Sequence, residues 1–153
     1  MSALTITLPQ PTDFEDWRRL WTAYLAFYDT SREEALYHRN WAELLRPEGV
    51  VRGFVARGAD GRLLGLTHYL FQATAWSEAP VCYLQDLYVD EAARGLGAGR
   101  ALIEAVAQVA QEAGAVRLYW LTHETNSTAR ALYDRVASYK GFVRYDYDLT
   151  AKP

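Results

Sequence analysis

The chain has 153 residues, 50% of them hydrophobic, and a formal net charge of -3. That is ample apolar content for a single domain over residues 1–153 with its own core. Lys and Arg are scattered, so no basic face is expected and nucleic acid is not an expected partner. No run approaches the ~20 apolar residues of a membrane span, and Met1–Gln10 lacks a charged segment followed by an apolar one, so the expected location is cytoplasmic, with no membrane partner. One cysteine, Cys82, excludes an internal disulfide, and three separated histidines give no metal-ligand spacing, so no metal is expected.

Leu4 to Leu8 alternates Thr with apolar residues and Pro9 ends it, which predicts a first strand. Thr12 and Glu15 form a capping-box pattern for a helix to about Tyr28, with Phe14, Trp17, Trp21, Tyr24, Leu25 and Tyr28 on one face. Ser31 and Glu34 repeat that pattern before a second helix carrying Tyr37, Trp41, Leu44 and Leu45, closed by Pro47. Val50–Ala56 and Leu63–Ala73 read as strands around Asp60-Gly61, and Val81–Val89 as a third after a loop holding Trp76 and Pro80. Leu102, Ala105, Val106, Val109 and Ala110 mark a helix over 99–113 that stops at Gly114. Val116–Thr122 is the next expected strand, Asn126 to Val136 a helix, and Phe142–Leu149 a final strand. The pattern is α/β, a mixed sheet of about six strands flanked by four helices, with the middle strand–helix–strand a parallel crossover.

Between the strand ending at Val89 and the helix beginning near Ala98 lies Arg94-Gly95-Leu96-Gly97-Ala98-Gly99-Arg100. Backbone N–H groups and the helix dipole favour an anion there, and glycines let phosphate oxygens approach the backbone. No Lys-Ser or Lys-Thr follows, which excludes a Walker loop, and Arg100 stands where a dinucleotide fingerprint needs its third glycine. Gln85-Asp86 interrupts an otherwise apolar strand and marks candidate site groups, although a buried carboxylate can also be satisfied structurally. Asn126 and Tyr133, two helical turns apart, project from nearly one face; Asn126 is also a suitable helix cap and Tyr133 a suitable core residue.

Arg94-x-x-Gly97-x-Gly99, preceded by Leu87-Tyr88-Val89, resembles the acyl-CoA pattern of the GNAT superfamily of N-acetyltransferases. Asn126-x-x-Ala129-x-x-Leu132-Tyr133 with Gly141-Phe142 is similar to its second signature. Tyr83 to Asp90 and Tyr119-Trp120 look like the branch of diamine, thialysine and fungal histone/polyamine or D-amino acid acetyltransferases.

The resemblance implies splayed central strands and transfer from acetyl-CoA, as co-substrate, to a primary amine of a small molecule such as a polyamine or amino acid, by direct attack in a ternary complex. It implies that the backbone of Leu87, Tyr88 and Val89 binds pantetheine and acetyl group, with the Val89 N–H on the acetyl oxygen. Arg94, Gly95, Leu96, Gly97, Ala98, Gly99 and Arg100 would take the pyrophosphate, Asn126 would contact the cofactor, and Tyr133 would protonate the departing thiolate. An ammonium group must lose a proton before attack; Glu124, Asp86 and His123 are the candidate bases. Tyr28, Gln85, Asp86 and Trp120 are candidate contacts to the acceptor, with Tyr24, Tyr37, Tyr69, Phe71 and Trp76 as further walls. Diamine acetyltransferases carry an acid where this chain has Gln85, which leaves the acceptor open. A protein lysine or N-terminal amine, or a non-catalytic acyl-CoA sensor, are the alternatives. The last strand has no second strand to form a hairpin with, and related proteins pair such strands between copies, so a homodimer is expected.

Overall fold

The computed structural model describes residues 4–150. It comprises two compact units, divided between Leu121 and Thr122. The first contains β1 (Thr5–Thr7), α1 (Phe14–Phe27), α2 (Glu34–Leu45), β2 (Arg52–Arg57), β3 (Leu63–Thr74), β4 (Ser77–Val89), α3 (Ala98–Glu112) and β5 (Leu118–Tyr119). These strands form one five-stranded sheet in the order β1-β2-β3-β4-β5. The first four pair antiparallel, and β5 joins β4 in parallel after the α3 crossover.

Alternation along β2 divides the core between the two faces of the sheet. Val55 joins Trp17, Leu20, Trp21 and Leu25 of α1 and Tyr37, Trp41 and Leu44 of α2. Its neighbours Phe54 and Ala56 belong with Ala98 and Leu102 of α3. So α1 and α2 cover one face and α3 the other. The α1 stripe at 17, 20, 21 and 25 follows the helical repeat and is buried throughout. Burying side chains as large as Trp17 contributes about 2–3 kcal/mol each.

Several boundaries differ from the expected ones for identifiable reasons. A 3-10 turn, Pro11–Asp13, precedes α1, so Thr12 lies inside that turn and Asp13 replaces it as the anchoring side chain, its Oδ2 accepting the Gln10 N–H at 2.8 Å. Ser31 lies before α2, whose cap is Glu33 without a side-chain bond; Glu34 pairs with Arg18 instead. β4 begins at Ser77, so Pro80 lies in the strand and Trp76 in a tight turn. Pro80 is tolerated because it falls in the irregular stretch between the pairs Gln72–Val81 and Thr74–Ser77, where its missing N–H costs no ladder bond. Gly114, with φ +74°, closes α3 as expected.

The second unit contains α4 (Ser127–Val136), whose half-buried positions include Ala129, Leu132, Tyr133 and Val136. The strand expected over Phe142–Leu149 is not formed: residues 139–148 have no regular structure, and Phe142, Tyr145, Tyr147 and Leu149 are exposed. Alternation supplies a strand with an apolar face but not with a hydrogen-bonding neighbour, and β structure requires both.

Asp13 is the main buried acid. Arg57 donates to both of its oxygens at 2.9 and 2.8 Å, and that pairing holds the Asp13 carboxyl below its ordinary value. A depressed native value contributes stability that is present above the unfolded value and lost as pH falls through the native one. Asp13→Asn is expected to cost about 1–3 kcal/mol at neutral pH. It is also expected to flatten the loss of stability below about pH 4. Thermal melts of both chains across that range check this; parallel curves would contradict it.

Candidate active site

β4 runs directly into the glycine loop. After a 3-10 turn at Glu91–Ala93, Gly95 and Gly97 adopt φ of +86° and +84°, and Gly97 is the left-handed N-cap of α3. Any other residue is strained in that region by about 1–2 kcal/mol. The first helical bond runs from Ala101 N–H to Gly97 O, so the N–H groups of Ala98, Gly99 and Arg100 have no partner within the helix. A Cβ at Gly95 or Gly97 would meet nothing within 4 Å, so the loop presents bare backbone to open space. Leu96 and Arg94 are exposed. Arg100 is tied to Glu104 one turn on, at 2.8 Å. An open cradle of backbone donors at a helix start fits a pyrophosphate.

The strand leading into the loop is open on one side. β4 pairs with β5 only at Cys82–Leu118 and Tyr83–Tyr119, while its pairing with β3 continues to Val89–Gly65. Beyond Tyr83 the two parallel strands part. Asp90 N–H donates to Leu64 O on the β3 side. By strand alternation the Val89 N–H points to the opposite, open edge. Leu87 and Val89 pack toward α3, and Tyr88 toward α1.

A bulge governs Asp86. Leu84 pairs with Tyr69 and Asp86 with the preceding residue, His68, so Gln85 is the extra residue and is exposed. Leu84 and Asp86, two apart, therefore face opposite sides of the sheet, and Asp86 turns to α1. There His68 Nδ1 lies 3.0 Å from Asp86 Oδ2, and Trp17 Nε1 donates to His68 Nε2 at 3.2 Å. The Tyr24 phenol is beside the same carboxylate: burial pushes it well above its ordinary value, and Asp86 and Tyr28 add to the rise. The Tyr24 and Tyr28 rings meet edge-on at 5.1 Å, and Tyr88 lies 6.2 Å from Tyr24. Asp86, Tyr24 and Tyr28 are thus brought together. Trp21 Nε1, buried in the same aromatic group, has no hydrogen-bond partner among the described residues.

The other candidates divide. Tyr37 and Tyr69 are core residues, and Trp76 is fully exposed at the β3–β4 turn. Trp120 is half-buried just after β5. Tyr119 stacks on Tyr83 at 4.9 Å and donates to Gln72. In the second unit Asn126 caps α4: its Oδ1 accepts the Ala129 N–H at 3.3 Å and its Nδ2 donates to Thr122 Oγ1. Tyr133 is half-buried on α4. Glu124 and His123 are exposed ahead of it, and the Glu124 carbonyl accepts from Arg130. Sequence reasoning missed His68 and Trp17. The available signal was a histidine set inside the apolar run Leu66-Thr67-His68-Tyr69.

The model of the acetyltransferase (GNAT) family matches residues 14–139. A D-amino-acid N-acetyltransferase of Saccharomyces cerevisiae, HPA3, is 37% identical over 129 residues, covering 84% of this chain and 80% of that one. A thialysine N-epsilon-acetyltransferase of Caenorhabditis elegans is 34% identical over 101 residues, 63% of this chain and 61% of that one. Among solved structures, an aminoglycoside N-acetyltransferase in complex with CoA has the same fold, with a TM-score of 0.76 at 18% identity over 100% of this chain and 96% of that one.

Cys82, in the same strand, is fully buried, and burial pushes its thiol up to about 11. A thiol in that state is a poor nucleophile. Iodoacetamide at about pH 8 is expected to label it only after unfolding, as mass spectrometry can check; rapid labelling of the folded chain would contradict the assignment.

Proposed function

The chain belongs to the acetyltransferase (GNAT) family, and from that premise we propose that it transfers acetyl from acetyl-CoA to the primary amine of a small molecule. Donor and acceptor are bound together and the amine attacks directly. The observation that carries this reading is the open edge of β4 running into the glycine loop. The cradle from Gly95 to Arg100, with Arg94 beside it, takes the pyrophosphate; the open edge at Leu87–Val89 takes pantetheine, and the Val89 N–H polarises the thioester carbonyl.

Asp86 receives the acceptor's ammonium group, with Tyr24 and Tyr28 as walls and Gln85 and Trp120 as further contacts. After one proton leaves the ammonium group to a base, Asp86 or Glu124, the nitrogen lone pair attacks the carbonyl carbon. The C–N bond forms, the C–S bond breaks, and the second proton leaves the nitrogen through water, which restores the phenol of Tyr133 after it has protonated the thiolate. The CoA thiolate takes a proton from Tyr133, whose phenol can donate as charge develops on sulfur. Asn126 keeps its capping role and adds a contact to the cofactor. The names of the curated relatives, a D-amino-acid and a thialysine acetyltransferase, support an amino-acid-like acceptor. The family match runs through both compact units, which supports treating residues 1–153 as one domain.

The same reading includes a cytoplasmic homodimer. Among the described residues no helix is long and apolar enough to cross a membrane. Val143, Tyr145, Tyr147 and Leu149 alternate with Arg144, Asp146 and Asp148 in an exposed segment, a pattern suited to pairing with a second copy. Light scattering is expected to give the dimer mass; a monomer at micromolar concentration would remove this part.

Thiol release from acetyl-CoA, measured across thialysine, D-phenylalanine, spermidine and a lysine peptide, tests the activity. Turnover is expected with an amino-acid-like amine, and turnover only with the peptide would favour a protein acceptor. CoA binding with no thiol release from any amine would favour a sensor. Tyr133→Phe is expected to lower kcat about 100-fold or more while leaving acetyl-CoA affinity within about threefold. Unchanged turnover would remove Tyr133 from the mechanism.

A further inference from the structure

His68 and Trp17 have no part in the chemistry above, yet both are tied to it. The His68 ring is 4% exposed, and both nitrogens are engaged, Nε2 by Trp17 at 3.2 Å and Nδ1 by Asp86 at 3.0 Å. An indole N–H only donates, so His68 Nε2 is the acceptor. The neutral ring then carries its proton on Nδ1, which donates to Asp86 Oδ2.

This chain of bonds is rigid from end to end. Trp17 is wholly buried, stacked on Trp21 at 6.1 Å and packed on Trp41 at 5.1 Å. His68 and Asp86 are direct cross-strand partners at the edge of the Gln85 bulge. A carboxylate has about four acceptor positions on two oxygens. His68 takes one of them on Oδ2 and the Tyr24 phenol takes another, which leaves the carboxylate capacity for a ligand donor.

We propose that His68 is a positioning residue for the acceptor amine: with its Nε2 held by Trp17, it clamps one oxygen of Asp86 so that the other meets the acceptor's ammonium group. The inference rests on the reading that Asp86 receives the acceptor. A buried tryptophan N–H needs only some acceptor, and any backbone carbonyl supplies one. A histidine in that place does more, since it passes the constraint on to the carboxylate that receives the acceptor.

The test is steady-state kinetics of the full chain with acetyl-CoA and whichever of thialysine, D-phenylalanine and spermidine turns over fastest. His68→Leu is expected to reduce kcat/KM for the acceptor about 10- to 100-fold, chiefly through the acceptor KM, with the acetyl-CoA KM within about twofold. His68→Asn, whose amide N–H can reach the same carboxylate, is expected to recover most of the loss. Asp86→Asn is expected to be impaired, and adding His68→Leu to it to cost little more, because the two act through one group. Multiplying losses, or equal losses for His68→Leu and His68→Asn, would overturn the inference while leaving Asp86 in place. An Asp86→Asn chain as active as the parent would overturn the Asp86 assignment and this inference with it.

Nitrogen-15 NMR of the unliganded chain gives an answer even where a variant fails to fold. At about pH 8 the parent is expected to show His68 as the Nδ1–H tautomer, and Trp17→Phe to keep that tautomer while shifting the Nε2 resonance, because Nε2 loses its donor. An Nε2–H tautomer in the parent would contradict the proposal.

Discussion

β4 is paired along one edge to Val89 and along the other only between Pro80 and Tyr83. Every other part of the site depends on that inequality. A parallel strand paired along its whole length would satisfy its own N–H groups and offer nothing to a ligand. Because β5 leaves after Tyr119, the last residues of β4 keep donors pointing into a gap, and the glycine loop continues that row of donors into the first turn of α3. The donors are held by a paired neighbour on one side, so they are rigid, and unpartnered by β5 on the other, so they are usable. An acetyltransferase needs both properties for a long, flexible thioester ligand.

The bulge at Gln85 gives the same strand a second function. In a regular strand, alternation would put Asp86 on the face of Leu84, against α3, and would turn Leu87 and Val89 toward α1. With the bulge, Asp86 turns toward α1 and meets His68 and Tyr24, and Leu87 and Val89 turn to pack against α3. One strand thus presents a carboxylate to one face and its backbone donors to its open edge. The aromatic wealth of α1 and α2 has a consequence here as well. Trp17, Trp21, Tyr37 and Trp41 form a dense packing that anchors the polar chain ending at Asp86. The low polarity around that chain strengthens each of its hydrogen bonds.

Much of the fold was legible because its signals are local. The helical stripes of α1, α2 and α3, the turn at Gly61, the stop at Gly114 and the cap at Asn126 are each written in a few adjacent residues. The glycine loop was legible for the same reason. Features that depend on a partner strand were not. The bulge exists only relative to β3, the brevity of β5 only relative to β4, and alternation over residues 142–149 has no neighbour among the described residues to make it a strand. His68 was hidden for a related reason, since its role comes from Trp17, 51 residues away, and from Asp86, 18 residues away. A histidine read without those partners is only a polar residue in an apolar strand.

The proposed site for the acetyl donor is a single continuous surface made of the open edge of β4 and the glycine loop. Hydrogen–deuterium exchange of the full chain, with and without a non-transferable thioether analogue of acetyl-CoA, tests that claim most directly. Slowed exchange is expected at the Val89 amide and at the amides of residues 95–100 when the analogue is added. Binding of the analogue that leaves those amides unchanged, with protection elsewhere in the chain, would contradict it.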